Sequence, residues 1–273
     1  MDDRPIGMFD SGFGGLTVAR AVMDLLPAED LVYVGDTGRY PYGPRQLAEV
    51  RTFAQQITRT LVEELGVKLV VVACNTAAAA GLSELRFAFD VPIVGVIAPG
   101  ARAAVSATRN GRVGVIGTVG TIASGAYQRE VRSLRMTQDG RRVELVCAAC
   151  PGFVEFVERG ELASEQVHVL AERLLDPVRR GGVDTLLLGC THYPFLARTI
   201  SDVMGREVVL VSSADETAFE VRAILERTGI GRRTAAKGQH RFISSGDVDA
   251  FRDLGTRLLG PELDVPVESR GWG

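Results

Sequence analysis

Val70-Val71-Val72-Ala73-Cys74-Asn75-Thr76 and Leu186-Leu187-Leu188-Gly189-Cys190-Thr191-His192 are two settings of one pattern. Each is an unbroken apolar run, then a small residue, a cysteine and two polar residues, with a helical segment expected beyond. A continuous apolar run of this length describes a strand covered on both faces, as in a parallel sheet between helices. The cysteine then falls at the strand's carboxyl end, where open α/β sheets place their ligands. One such thiol suggests a nucleophile. Two in matching positions suggest a pocket with a thiol on each side, the arrangement needed to move a proton across a planar carbon.

Outward from these segments, short apolar runs alternate with amphipathic ones along the whole chain, which is the signature of βα units around a parallel sheet. Strands are expected over residues 6–9, 31–34, 69–73, 113–116, 186–188, 208–211 and 241–244. Helices are expected over 16–26, 44–65, 120–134, 164–179, 215–227 and 248–259. Ala98-Pro99-Gly100 reads as a crossing point into a second domain. The fold class is therefore α/β, with two pseudo-symmetric parallel-sheet domains: residues 1–98 plus 212–273 around Cys74, and 99–211 around Cys190.

The bulk composition removes several functions. The chain has 273 residues, enough for about two domains, and a net charge of −3, too small to indicate nucleic acid or a membrane surface as partner. No apolar stretch reaches the roughly 18 residues of a membrane span. Met1-Asp2-Asp3-Arg4-Pro5 does not open an export signal, so a cytoplasmic location is expected, with all four cysteines reduced. The chain contains only two lysines, Lys68 and Lys237, and neither has a setting for a pyridoxal phosphate Schiff base. No cofactor and no metal are expected.

Four segments place polar groups at expected strand ends. Asp10-Ser11-Gly12-Phe13-Gly14-Gly15 offers an acceptor, a donor and glycines that let backbone N–H groups approach an anion; it equally describes a tight turn with a capping serine, and it lacks the ending of a nucleotide-binding Walker loop. Asp36 to Gly43, with Pro41 and Gly43 flanking Tyr42, is a binding loop or a rigid turn. A buried cysteine after a strand is by itself a common core residue. The polar neighbours of Cys74 and Cys190 favour chemistry instead, and a helix N-terminus just beyond each would lower the thiol pKa. Cys147 and Cys150, in Cys-Ala-Ala-Cys, have no matching second pair and read as core or strand-end residues. Gly114 to Thr121 lacks the acidic residue of a nucleotide fold further on, and its threonines are candidate donors to a carboxylate. The basic stretch 232–241 reads as a solvated loop.

With Phe9-Asp10-Ser11-Gly12-Phe13-Gly14-Gly15-Leu16-Thr17, Gly35-Asp36-Thr37, Pro41-Tyr42-Gly43, Ala73-Cys74-Asn75-Thr76-Ala77 and Gly189-Cys190-Thr191-His192-Tyr193-Pro194 in this order, the chain resembles the glutamate branch of the cofactor-independent aspartate/glutamate racemase family. Gly38, Tyr40, Ala78 and Phe195 vary positions beside these motifs. The resemblance implies two α/β domains with the active site in the cleft between them. It also implies interconversion of L- and D-glutamate by thiolate/thiol proton transfer, with D-glutamate feeding peptidoglycan synthesis. Cys74 is then the base toward D-glutamate and Cys190 toward L-glutamate, with Asp10 and His192 assisting. Glu158 is a further candidate beside His192, and Glu155 competes for that place. Ser11, Asn75, Thr76, Thr118, Thr121 and Thr191 are implied donors to substrate, with the backbone around Tyr42-Gly43, and Asp10 and His192 also line the site. A homodimer is the expected assembly. DNA gyrase is a conceivable partner by family analogy alone. Aspartate racemase, a single-cysteine relative and a non-catalytic regulatory protein on the same fold are the competing readings.

Overall fold

The computed structural model describes residues 2–134, 140, 142–260 and 266–272. The chain forms two compact units, Met1–Val96 with Ala214–Gly273, and Ile97–Ser213.

In the first unit the central strand β1 (Ile6–Asp10) lies between β2 (Leu31–Gly35) and β3 (Leu69–Val72), and β4 (Ile93–Gly95) pairs outside β3, all parallel. β1, β2 and β3 are buried at every residue, as their continuous apolar runs require. Helices α1 (Leu16–Leu25), α2 (Leu47–Arg59) and α3 (Asn75–Ala88) connect them.

In the second unit, which opens with α4 (Ile97–Ala107), the central strand is β5 (Arg112–Gly117). It lies between β6 (Glu144–Ala149) and β7 (Thr185–Gly189), and β8 (Val209–Ser212) pairs outside β7, again all parallel. The two orders, β2-β1-β3-β4 and β6-β5-β7-β8, are the same topology. By that correspondence β3, which leads into Cys74, matches β7, which leads into Cys190. The first strand of each unit likewise matches, so Asp10-Ser11 corresponds to Thr118. A repeated topology places equivalent chain positions at equivalent strand ends, which explains the two matching cysteine segments.

Several elements depart from the sequence expectation. The helix expected over 44–65 begins at Leu47, and its last turn, Thr60–Glu64, is a π-helix. The helix expected over 120–134 is two, α5 (Val119–Ala123) and α6 (Ala126–Leu134), separated at Gly125, whose φ of +68° lies in the region open to glycine. Ala98-Pro99-Gly100 lie in the first turn of α4, where a proline gives up no helical hydrogen bond. Beyond α7 (Phe153–Glu158), α8 (Glu165–Arg180) and α9 (Ala197–Met204), the chain returns to the first unit through α10 (Ala214–Thr228).

There β9 (His240–Ser244) extends the sheet beside β2, followed by α11 (Val248–Leu259). A further strand, β10 (Val267–Ser269), pairs parallel with β9 and had no expectation in the sequence, because three polar-flanked residues at a sheet edge carry no periodicity. The basic stretch is not wholly a solvated loop: Arg232 pairs with Asp30 at 2.6 Å, and His240 and Arg241 begin β9. Among the described residues no helix is long and apolar enough to cross a membrane.

Candidate active site

Each unit gathers its polar residues at the carboxyl ends of its central strands. In the first, Asp10 ends β1, and its fully buried carboxylate accepts the backbone N–H of Gly12 at 2.8 Å. Gly15 permits this packing. A Cβ there would stand 2.5 Å from the Asp10 Cβ and 2.8 Å from the Tyr33 hydroxyl.

Cys74 follows β3 and is the N-cap of α3. Its backbone is extended while its sulfur accepts the N–H of Ala77 at 3.5 Å. The thiol points to the Ser11 hydroxyl at 3.7 Å. Asn75 and Thr76, both buried, open the helix behind it.

The electrostatics of this thiol differ from the expected lowering. Cys74 is 5% exposed. Burial, and then the negative charge of Asp10, push its pKa up to about 12, outweighing the Ala77 N–H and the Ser11 hydroxyl. Both influences favour the neutral thiol of Cys74 over its thiolate. A test follows from the cause. Asp10→Asn removes the like charge, and the thiolate fraction grows tenfold for each unit the pKa falls. Alkylation of Cys74 by iodoacetamide at pH 8, followed by mass spectrometry of its peptide, is expected to run faster in the variant than in the parent protein.

Tyr42 is buried beside this group and donates to Asp36, the residue just after β2. Burial, with the Asp36 charge, raises the phenol well above its ordinary range, and Cys74 contributes in the same direction, so the three groups share one electrostatic environment. Gly43 follows, half-buried.

In the second unit Thr118 caps α5. Its hydroxyl accepts the N–H of Thr121 at 3.2 Å and donates to the buried Thr121 hydroxyl at 2.9 Å. On the neighbouring strand, in register at Gly117 and Gly189, β7 delivers Cys190, Thr191 and His192, all buried. His192 Nδ1 lies 4.0 Å from the Cys190 sulfur, and its Nε2 lies 3.2 Å from a Glu158 carboxylate oxygen. Thiol, imidazole and carboxylate thus form a connected line.

The choice of Glu158 over Glu155 follows from helix geometry. Phe153 and Val157 are the buried residues of α7, and Phe153 meets Tyr193 edge-on with ring centroids 5.3 Å apart. At about 100° per residue, Glu158 stands at the flank of that buried face, whereas Glu155 stands opposite and is exposed. The short 3₁₀ turn Tyr193–Leu196, rather than an α-helix, follows Cys190, so this thiol is not a helix cap as Cys74 is. Cys147 lies within β6 and Cys150 just past its end. Burial raises both thiols, to about 11 and about 12. Among the described residues no group of three or more His, Cys, Asp or Glu side chains could hold a metal ion.

The sequence missed one organising residue. Asp36, which the sequence offers as part of a loop and of a family motif but with no role of its own, is fully buried and accepts from Arg39, Tyr42, Ser245 and Trp272. Its place at a strand end was the available signal.

Residues 16–220 match the family model described as Asp/Glu/Hydantoin racemase. The glutamate racemase of Mycobacterium leprae is 54% identical over 95% of this chain and 93% of that protein. Among solved structures, a glutamate racemase isoform of Bacillus anthracis superimposes with a TM-score of 0.91 at 39% identity, covering 100% of this chain and 98% of that one. The glutamate racemase of Francisella tularensis, in complex with D-glutamate, gives 0.87 at 29% identity, with the same coverage.

Proposed function

The chain belongs to the Asp/Glu/Hydantoin racemase family, and on that premise we infer that it interconverts L- and D-glutamate by two-base proton transfer at the α-carbon, needing no cofactor. The observation that carries the reading is the pair of cysteines at equivalent strand ends of two identical topologies, each with a different assisting group. Cys190 has the imidazole of His192, backed by Glu158. Cys74 has a buried carboxylate and a high pKa. The glutamate reading is preferred to the aspartate one because the relatives matched over nearly the whole chain are glutamate racemases.

In the direction from L-glutamate, His192 holds the proton of Cys190. The Cys190 thiolate takes the α-hydrogen, breaking C–H and forming S–H. Negative charge spreads into the α-carboxylate, where N–H and O–H donors from Ser11, Asn75, Thr76, Thr118, Thr121 and Thr191 stabilise it, with the backbone at Tyr42-Gly43. Cys74, protonated at rest, then delivers its proton to the opposite face. The Cys74 thiolate left behind is disfavoured by burial and by Asp10, so it takes a proton from solvent, while the proton gained by Cys190 leaves to solvent by way of His192, restoring the starting state. From D-glutamate the two thiols exchange roles, and the α-ammonium of the substrate offsets the Asp10 charge that otherwise keeps Cys74 protonated. The product D-glutamate supplies peptidoglycan synthesis. A cytoplasmic location and a homodimer complete the proposal.

The test is racemisation in deuterated water. Product enantiomer carrying one deuterium at the α-carbon from the first turnover is the expected result. Retention of the original hydrogen in the product would overturn the two-base scheme. Conversion of aspartate in preference to glutamate in a chiral assay would overturn the substrate.

A further inference from the structure

The donors around Asp36 come from three separate stretches of chain. Arg39 Nε donates to one carboxylate oxygen at 2.7 Å and the Tyr42 hydroxyl donates to the same oxygen. The other oxygen accepts the Ser245 hydroxyl at 2.6 Å, from the turn after β9, and the indole N–H of Trp272. Four donors on one carboxylate account for its acceptor sites. Trp272 arrives there because its segment is fastened. β10 pairs with β9, the Arg270 N–H donates to the Ser244 carbonyl at 2.9 Å, and the Arg270 guanidinium pairs with Glu64. The indole ring then lies 4.7 Å from the Arg39 guanidinium, which is also 4.2 Å from the ring of Phe53. Such contacts strengthen as the cation is desolvated, and the Arg39 side chain is 16% exposed.

We propose that Trp272 is a positioning residue for the reaction: through Asp36 and Arg39 it fixes the loop that carries Tyr42 and Gly43 against the Cys74 side of the substrate site. The proposal rests on the glutamate racemase reading, because it takes Tyr42-Gly43 as part of the surface that receives substrate. The carboxyl-terminal segment is then a strap whose docking sets affinity for glutamate, while the thiols that transfer the proton are untouched.

Two measurements test it. Trp272→Ala is expected to raise KM for glutamate about tenfold with kcat changed less than about twofold, and Trp272→Phe, which keeps the ring over Arg39 but loses the N–H, is expected to fall between. Trp272 is also the only tryptophan of the chain, so its fluorescence reports the strap directly. Acrylamide is expected to quench substrate-free Asp36→Asn at least twice as strongly as the parent protein. Unchanged KM in Trp272→Ala, or kcat falling as far as KM rises, would overturn the positioning role. Unchanged quenching in Asp36→Asn would overturn the contact. If the parent protein does not racemise glutamate, the functional reading fails in its own assay, and the quenching comparison still decides whether Asp36 holds the strap.

Discussion

Cys74→Ser and Cys190→Ser are each expected to lower racemisation by ~10²–10⁴-fold, the range for one positioned acid–base group. Serine is close in size and its hydroxyl oxygen can replace the sulfur that caps α3 at Cys74, so α3 is expected to fold normally, and the loss isolates the proton chemistry. L- and D-glutamate are mirror images of equal free energy in solution, which fixes the equilibrium constant at one. Any variant must therefore lose kcat/KM equally in both directions, even though each thiol serves one face. What separates the two is exchange without racemisation. Cys74→Ser retains the base for L-glutamate, so in deuterated water it is expected to label L-glutamate at the α-carbon while producing little D-glutamate. Cys190→Ser is expected to label D-glutamate instead. Proton NMR of the α-position with chiral chromatography reads both. The same enantiomer labelled by both variants would refute the assignment of faces. The double variant is expected to lose little more than either single one, because the two thiols act as a unit.

The second large effect is expected at His192. Removing the imidazole that sits 4.0 Å from the Cys190 sulfur takes away the base proposed for that buried thiol, and His192→Ala is expected to cost ~10²–10³-fold in kcat. Glu158→Gln keeps the size and a polar group toward Nε2 but removes the charge, and about a tenfold loss is expected, within the few kcal/mol that a charge-assisted hydrogen bond contributes. If Glu158 acts through His192, as proposed, the combined variant is expected to be no slower than His192→Ala alone. Steady-state rates of the four proteins close the cycle. Losses that multiply independently would show that Glu158 acts elsewhere. Glu155→Gln is the control: its carboxylate is exposed on the far side of α7 and little change is expected.

Both predictions use residues legible in the chain, but to different depths. The strands that carry the site were readable because a strand covered on both faces must be apolar throughout, and 70–72 and 186–188 are. The two cysteines were readable because each ends such a run and is followed by two polar residues, which an ordinary apolar core position would not favour. Glu158 could be named but not chosen over Glu155, since both lie on one short helix. Only the burial of Phe153 and Val157, against Tyr193, turns one toward His192. The thiol charge went the other way from the expectation. A helix N-terminus favours a thiolate, and the sequence contains that helix; the competing burial and the Asp10 charge come from β1 and β3 lying side by side.

The sequence by itself determined the repeated βα pattern, the strand ends at which polar residues collect, and the pair of cysteines, because these depend on periodicity and on residue type within a few positions. The tertiary structure decided which groups lie beside each thiol and what holds the Asp36 loop. Asp36 and Trp272 are 236 residues apart, and Glu158 and His192 are 34 apart. A hydrogen bond between such partners leaves no local trace, since neither side chain needs the other until the sheets have brought them together.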